Sequence, residues 1–407
     1  TGQGLELLQA QSPRTPDYDL IIRGGRLIDP SQDLSTEMDV AIRDGKVVRL
    51  APKLDSATAW HVLDARGKIV TPGLVDVHVH VYDGVAPLGI PADPNCIAKG
   101  VTTVLDAGSA GATTFPGLKR HVMRIVDTRV YALLNISIIG QSTVTTGFPH
   151  GELLEMRYVD SRLAIRTIEQ NRDSILGIKI RLTESITGPN DLRALAVARE
   201  AADAVGLPIM VHIGGSYSPV PKIVAMLKKG DVITHSFRGG EGGIIDPRGR
   251  VLPEVRKAVE SGVNLDIGHG AGGFSFRTAD AVFPQGLLPG TISSDVHQFN
   301  VNGPVFDLPT TISKFLMLGL SLEDVIRRVT LNPSRLFAFP QGTGSLREGN
   351  VADVAVFDLR EGNFDFVDSQ GEHRAGRQKL IPVASIRAGK IYGNASIPVV
   401  PVLSAVR

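Results

Sequence analysis

The sequence predicts an α/β fold: a (β/α)8, TIM-like barrel carrying a small β-sandwich built from both ends of the chain. Three observations carry this expectation. Through the middle of the 407 residues, eight short apolar runs alternate with helical stretches. Strands alternating with helices pair in parallel, and eight of them suit a closed barrel. The segments before and after share another texture, of short strands and tight turns. Lastly, six residues able to bind metal each close an apolar run, and such barrels carry their catalytic groups at the C-terminal strand ends.

In chain order, residues 1–17 are an unpatterned lead-in, whose LELLQAQS resembles the tail of a removed secretory signal. This points to an exported, periplasmic or secreted protein, with a cytoplasmic one as the alternative. Residues 18–71 and 342–400 form the composite sandwich. YDLIIRGGRLID, MDVAIRDGKVVRL and WHVLDARGKIV alternate partially, and VADVAVFDL and IPVASIRAGKIYG repeat the pattern. Asp44–Gly45 is a hairpin signal, because a type I′ turn needs positive φ at both positions. Residues 72–341 form the barrel, with strands at 74–80, 101–106, 130–137, 175–181, 208–213, 231–235, 263–269 and 291–295. DLRALAVAREAADAV (191–205) and PEVRKAVESG (253–262) are amphipathic helices. An open doubly wound sheet competes, but it gathers its site at one switch point and not from five scattered strands.

Composition narrows the function classes. The 43 basic and 42 acidic residues leave a net charge of +1, with no basic field for nucleic acid. Aromatic content of 5% offers few base-stacking platforms. No apolar stretch reaches the ~18 residues of a membrane span. The single Cys96 permits neither an internal disulfide nor a cysteine zinc site, and reads as a small buried hydrophobe.

The chemistry gathers at strand ends. His78 and His80 close LVDVHVH; as i and i+2 on a strand they share a face. By the same alternation Val75, Val77, Val79 and Val81 face the helices, and Asp76 lies one layer deeper inside, placed to orient a histidine. His212 (PIMVHIGG) and His235 (DVITHS) add two imidazoles, a donor set that suits zinc. Asp295 (TISSD) is a ligand and proton shuttle, or else a helix N-cap. Lys179 (ILGIKIR) points inward with Gly177 and Arg181. A buried ammonium is costly unless paired. Among cations its pKa falls, and the neutral amine can take up carbon dioxide to give a carbamate that bridges two metals. In DIGHGAGGFSF the glycines either bring backbone close to a ligand, with His269 as a substrate contact, or form a tight turn with a surface histidine. Tyr82 and Arg181 are further substrate contacts, Arg238 (HSFRGG) a weaker one. His61, His121, His150 and His373 fall outside the strand-end pattern. GVTTVLDAGSAG lacks the spacing of a dinucleotide fingerprint.

At these motifs the chain resembles the amidohydrolase superfamily, and within it the amidohydrolase/deacetylase group of metallohydrolases. LDAGSAG, LLNIS, GIKIR, THS, DIGHGAGGFSF, TISSDVH and FDLPTTISKFLMLGLSLEDVI carry the likeness, from about residue 19 to about residue 395. The resemblance implies two divalent metals, usually zinc: His78, His80 and Asp295 on the first, His212 and His235 on the second, and carboxylated Lys179 (N6-carboxylysine) with a hydroxide between them. Val81-Tyr82 replaces the Arg that dihydroorotases place after the histidine pair. His212 is followed by IGGS, without the Glu of many deaminases. The expected activity is hydrolysis of an acyl amide or ester, deacetylating a small N-acetylated amino acid or O-acetylated hydroxy acid, with Asp295 as catalytic acid–base. The partner is thus a small acyl substrate, and a homo-oligomer is expected. A cyclic-amide hydrolase and a non-catalytic scaffold are the alternatives.

Overall fold

The computed structural model describes residues 16–144, 151–393 and 399–401. The lead-in through residue 15 and His150 lie outside the described residues. The chain opens with β1 (Tyr18–Asp29), β2 (Leu34–Arg43), β3 (Lys46–Ala51), β4 (Ala59–Asp64) and β5 (Ile69–Pro72). Seven strands follow: β6 (Leu74–Val79), β7 (Val101–Gly111), β8 (Arg129–Asn135), β9 (Ile175–Arg181), β10 (Ile209–His212), β11 (Val232–Thr234) and β12 (Asn264–Leu265). The last four are β13 (Val354–Val367), β14 (His373–Arg387), β15 (Lys390–Gly393) and β16 (Val399–Pro401).

Strands from both ends pair, as expected, and their hydrogen bonds run through one continuous, branched sheet. Its order is β15-β14-β13-β5-β1-β2-β3, with β4 against β1 and β16 against β4. The cause is a break within β1. Its pairing with β2 shifts between Ile22 and Gly25; Tyr18–Arg23 then pairs with β4, and Arg26 and Leu27 with β5. One bent strand therefore serves two neighbours on one edge. Asp44 and Gly45 join β2 to β3 with φ of 50° and 72°, both positive as a type I′ turn requires. Leu20, Ile22 and Val40 from the N-terminal part bury against Val354, Val356 and Ile386 from the C-terminal part.

The middle of the chain makes a parallel sheet in strict sequence order, β6 through β12. Residues 291–296 form no regular strand, yet make single parallel bridges toward both edges, Asp266 to Thr291 and Val79 to Val296. The expected eighth strand gives way to irregular backbone because Asp295 turns to φ 48° while its N–H donates to His78 O at 2.6 Å. Helix Asp191–Val205 buries Ala194, Leu195, Ala198, Ala201, Ala202 and Val205 at three- and four-residue spacings, then stops at Gly206 in the left-handed region. Among the described residues, no helix is long and apolar enough to cross a membrane.

One face of the parallel sheet packs apolar residues from six strands: Val75 and Val77 with Leu105, Leu133, Leu176, Met210 and Val232, sealed by Phe337 and Phe339. This corrects the expected strand alternation. Val79 and Val81 do join the helix-side core, but Val75 and Val77 do not. The pairing of β6 with β7 shifts between Asp76 and Val79, so a bulge reverses the alternation just before the histidine pair. Asp76 is displaced with it. Its carboxylate accepts from the N–H groups of His78 and Ser294 and from Ser294 Oγ at 2.5 Å, and orients no imidazole.

Candidate metal centre and active site

All six candidate ligands line one cavity of about 240 Å³, together with Arg181, Arg238 and His297. His78 lies in β6 and His80 just beyond it, Lys179 lies in β9, His212 ends β10 and His235 follows β11. Their rings crowd together, with centroids 4.2 Å apart for His212–His235, 5.1 Å for His78–His235 and 5.5 Å for His78–His80.

Hydrogen bonds fix which nitrogen of each ring faces the cavity. His78 Nδ1 lies 2.8 Å from Thr234 Oγ1, whose one proton is donated to Asp266 Oδ2, also at 2.8 Å. Thr234 must therefore accept from His78, which places the ring proton on Nδ1 and leaves Nε2 a bare lone pair. His80 Nδ1 contacts Ser109 Oγ at 2.9 Å, and the backbone N–H of Ser109 donates to Asp106 Oδ1 at 2.8 Å, which turns Nε2 of His80 toward the cavity. His235 Nδ1 is 2.6 Å from Gly268 O, which can only accept. His212 is the exception: Thr183 Oγ1 engages its Nε2 at 3.1 Å, so Nδ1 is its available donor atom. Burial holds His80 at about 3 and His235 at about 4, and lowers His78 and His212 well below the usual range, so all four rings are neutral.

These lone pairs converge on a carboxylate. Asp295 Oδ1 is buried without a hydrogen-bond partner, yet sits 3.1 Å from His80 Nε2 and 3.3 Å from His78 Nε2. Lone pairs facing a carboxylate oxygen at that distance, with no proton between them, repel unless a cation joins them. His78, His80 and Asp295 offer ligand atoms that all lie within 4.8 Å of one another. The donor set therefore fits a divalent metal. His235 Nε2 lies 3.9 Å from Asp295 Oδ2 on the other side.

Lys179 is fully buried, its Nζ 3.1 Å from His78 Nε2 and 3.6 Å from Met210 Sδ. Burial brings it down to about 7, although Asp295 pulls the other way. Neutral amine is therefore accessible near neutral pH. Backbone strain marks the site as well. His235 and Asp295 have φ of 58° and 48°, the left-handed region that non-glycine residues seldom adopt. Gly270 answers a close approach: a Cβ there would fall 2.2 Å from Asp295 Oδ2.

The substrate contacts expected from sequence divide. Arg181 lines the cavity, but its Nη1 is bonded to the buried Glu152 at 3.0 Å. His269 does not line the cavity. It is buried behind the glycine loop, its Nε2 2.7 Å from Lys314 Nζ and its Nδ1 3.0 Å from Gly270 O. Tyr82 also lies outside the cavity lining, its hydroxyl donating to Thr114 O at 2.9 Å. Sequence reasoning missed Asp106, Asp266, His297 and Glu152. Asp106 ends VTTVLD and Asp266 ends VNLD, so the strand-end rule that found the ligands applies to both. His297 follows Asp295 by two residues. Glu152 sits in a loop with no periodic signal.

Comparison with known proteins agrees with this geometry. The model of the amidohydrolase family matches residues 69–385. A deacetylase of Agrobacterium fabrum (strain C58) is 33% identical, over 87% of this chain and 86% of its own. A solved adenine deaminase has a TM-score of 0.85 at 31% identity, covering 93% of this chain and 100% of its own. A solved dihydroorotase has a TM-score of 0.83 at 30% identity, covering 92% and 99%. The chain belongs to the amidohydrolase family and is a hydrolase.

Proposed function

We propose that the protein is a metal-dependent deacylase that removes an acetyl group from a small N-acetylated amino acid or O-acetylated hydroxy acid. One observation carries the reading: four neutral imidazoles, Lys179 and Asp295, drawn from separate strand ends, meet in one cavity. In this reading residues 291–296 complete an eight-stranded barrel over 72–341, and segments 18–71 and 342–400 form the second domain. Divalent ions, zinc by donor type, would be held by His78, His80 and Asp295 and by His212 and His235, with Lys179, as its carbamate, a further ligand. Such ions supply Lewis acidity that acidifies water and polarises a carbonyl.

The chain's own residues move the protons. Asp295 Oδ accepts the proton of the attacking water and returns it to the leaving nitrogen or oxygen as the tetrahedral adduct collapses. Thr234–Asp266 holds His78 in the tautomer the site needs, and Ser109, anchored by Asp106, orients His80. The name of the Agrobacterium relative supports deacetylation over the names of the two solved structures. Where dihydroorotases carry their arginine this chain has Tyr82, tied to Thr114, and Ile213-Gly214 follow His212 where many deaminases carry a glutamate.

The test is metal content per chain together with turnover of N-acetyl and O-acetyl acids of both hands. Two equivalents of metal and hydrolysis of at least one acyl acid are expected. Metal-free protein after reconstitution, inert toward every acyl acid, overturns the reading. Turnover confined to cyclic amides replaces it with the cyclic-amide hydrolase.

A further inference from the structure

The cavity holds two guanidinium groups in unlike states. Arg181 is neutralised by Glu152 at 3.0 Å. Arg238 begins three residues after the ligand His235, and its N–H bonds His235 O at 3.2 Å. Its guanidinium reaches the same cavity, yet among the described residues its only side-chain partner is the backbone carbonyl of Glu241. No carboxylate offsets it: burial alone pulls Arg238 below its usual range. Glycine clears its place, since a Cβ on Gly214 would fall 2.9 Å from Arg238 Nε. With one N–H bonded to Glu241 O and no other partner among the described residues, the guanidinium keeps donors to offer a ligand in the cavity.

We infer that Arg238 is the specificity-determining residue of the site: its guanidinium grips a carboxylate on the substrate, while the substrate's acyl carbonyl lies among the histidines and Asp295. The inference rests on the deacylase reading and deepens it by assigning the residue that holds the carboxylate common to both acyl acids. The planar fork of arginine matches a carboxylate with two parallel N–H···O bonds, which lysine cannot reproduce. Arg181, already paired, is left to shape the cavity wall. A neutral substrate of equal size would leave Arg238 unanswered.

The test compares N-acetylalanine with N-acetylalaninamide, using the faster hand, for the metal-loaded wild type, Arg238→Gln and Arg238→Lys. The readout is the ratio of kcat/KM for carboxylate over carboxamide. Wild type is expected to favour the carboxylate. Arg238→Gln should lower that ratio by about 30-fold or more, chiefly through KM, and Arg238→Lys should recover part of it. Metal content equal to wild type shows that the variants are folded. A wild-type ratio near one, or a Gln variant that slows both substrates equally, overturns the inference. Should wild type cleave neither, nor any other N-acetyl or O-acetyl acid, the deacylase reading falls, and calorimetry with lactate and lactamide decides the role of Arg238. Tighter lactate binding lost in Arg238→Gln upholds it; equal binding in both proteins overturns it.

Discussion

The same parallel strands end in two different chemistries. At one level Val75, Val77, Leu105, Leu133 and Met210 meet Phe337 and Phe339 in an apolar plug. A residue or two further along, His78, Lys179 and His212 face one another around a cavity. The plug needs no partners beyond close packing. The polar end needs every buried heteroatom answered, which is why a hydroxyl meets each of two imidazoles, with a carboxylate bonded to its residue. Cohesion and chemistry are thus separated along each strand, and substitutions at the two levels should fail in different ways.

The largest effect is expected from Asp295→Asn, which keeps shape but removes the proton carrier. Turnover should fall by about 10³-fold or more, with a thermal midpoint close to wild type. Near-normal turnover would remove Asp295 from its role. Phe337→Ala should do the opposite, costing about 3–5 kcal/mol in denaturant unfolding. Its kcat per folded molecule should match wild type. A selective loss of kcat would show that the two levels are coupled. Thr234→Val, which cuts the relay behind His78, should weaken metal binding about 10–100-fold in chelator competition. Unchanged affinity would mean that Thr234 does not set the tautomer.

The smallest effect is a dependence on pH at the seam. Lys314 is buried against His269, and burial lowers it to about 7 from its ordinary 10.5. Between those values the unfolded chain binds the extra proton, so this group makes stability rise with pH, by about 1.4 kcal/mol per unit. The unfolding free energy of wild type minus that of Lys314→Met should therefore rise between about pH 7.5 and about pH 9.5. A constant difference would refute the assignment.

Much of this was legible in the sequence because strand ends write their chemistry locally. An apolar run closing in His, Lys or Asp located all six candidate ligands that line the cavity, and Asp44–Gly45 located its hairpin. What escaped depends on contacts between distant segments. The bulge after Asp76 follows from how β6 registers on β7, so the direction of Val75, Val77 and Asp76 was misread. His269 looks like a free loop histidine until Lys314, 45 residues on, is seen against it. The hairpin of β13 and β14 was recognised only at its base. Its distal part alternates poorly, since it runs partly through solvent and is interrupted at Glu361–Phe364.

The pairing of β5 with β13 has a consequence for how the molecule is made. Pro72 pairs with Val354, a separation of roughly 280 residues. At ribosomal speeds of about 5–20 residues per second, β5 waits on the order of 15–60 s for its neighbour. Throughout that interval a β-edge and its apolar face stand open in the nascent chain. The N-terminal strands therefore cannot complete their sheet until residues 354–357 have been made.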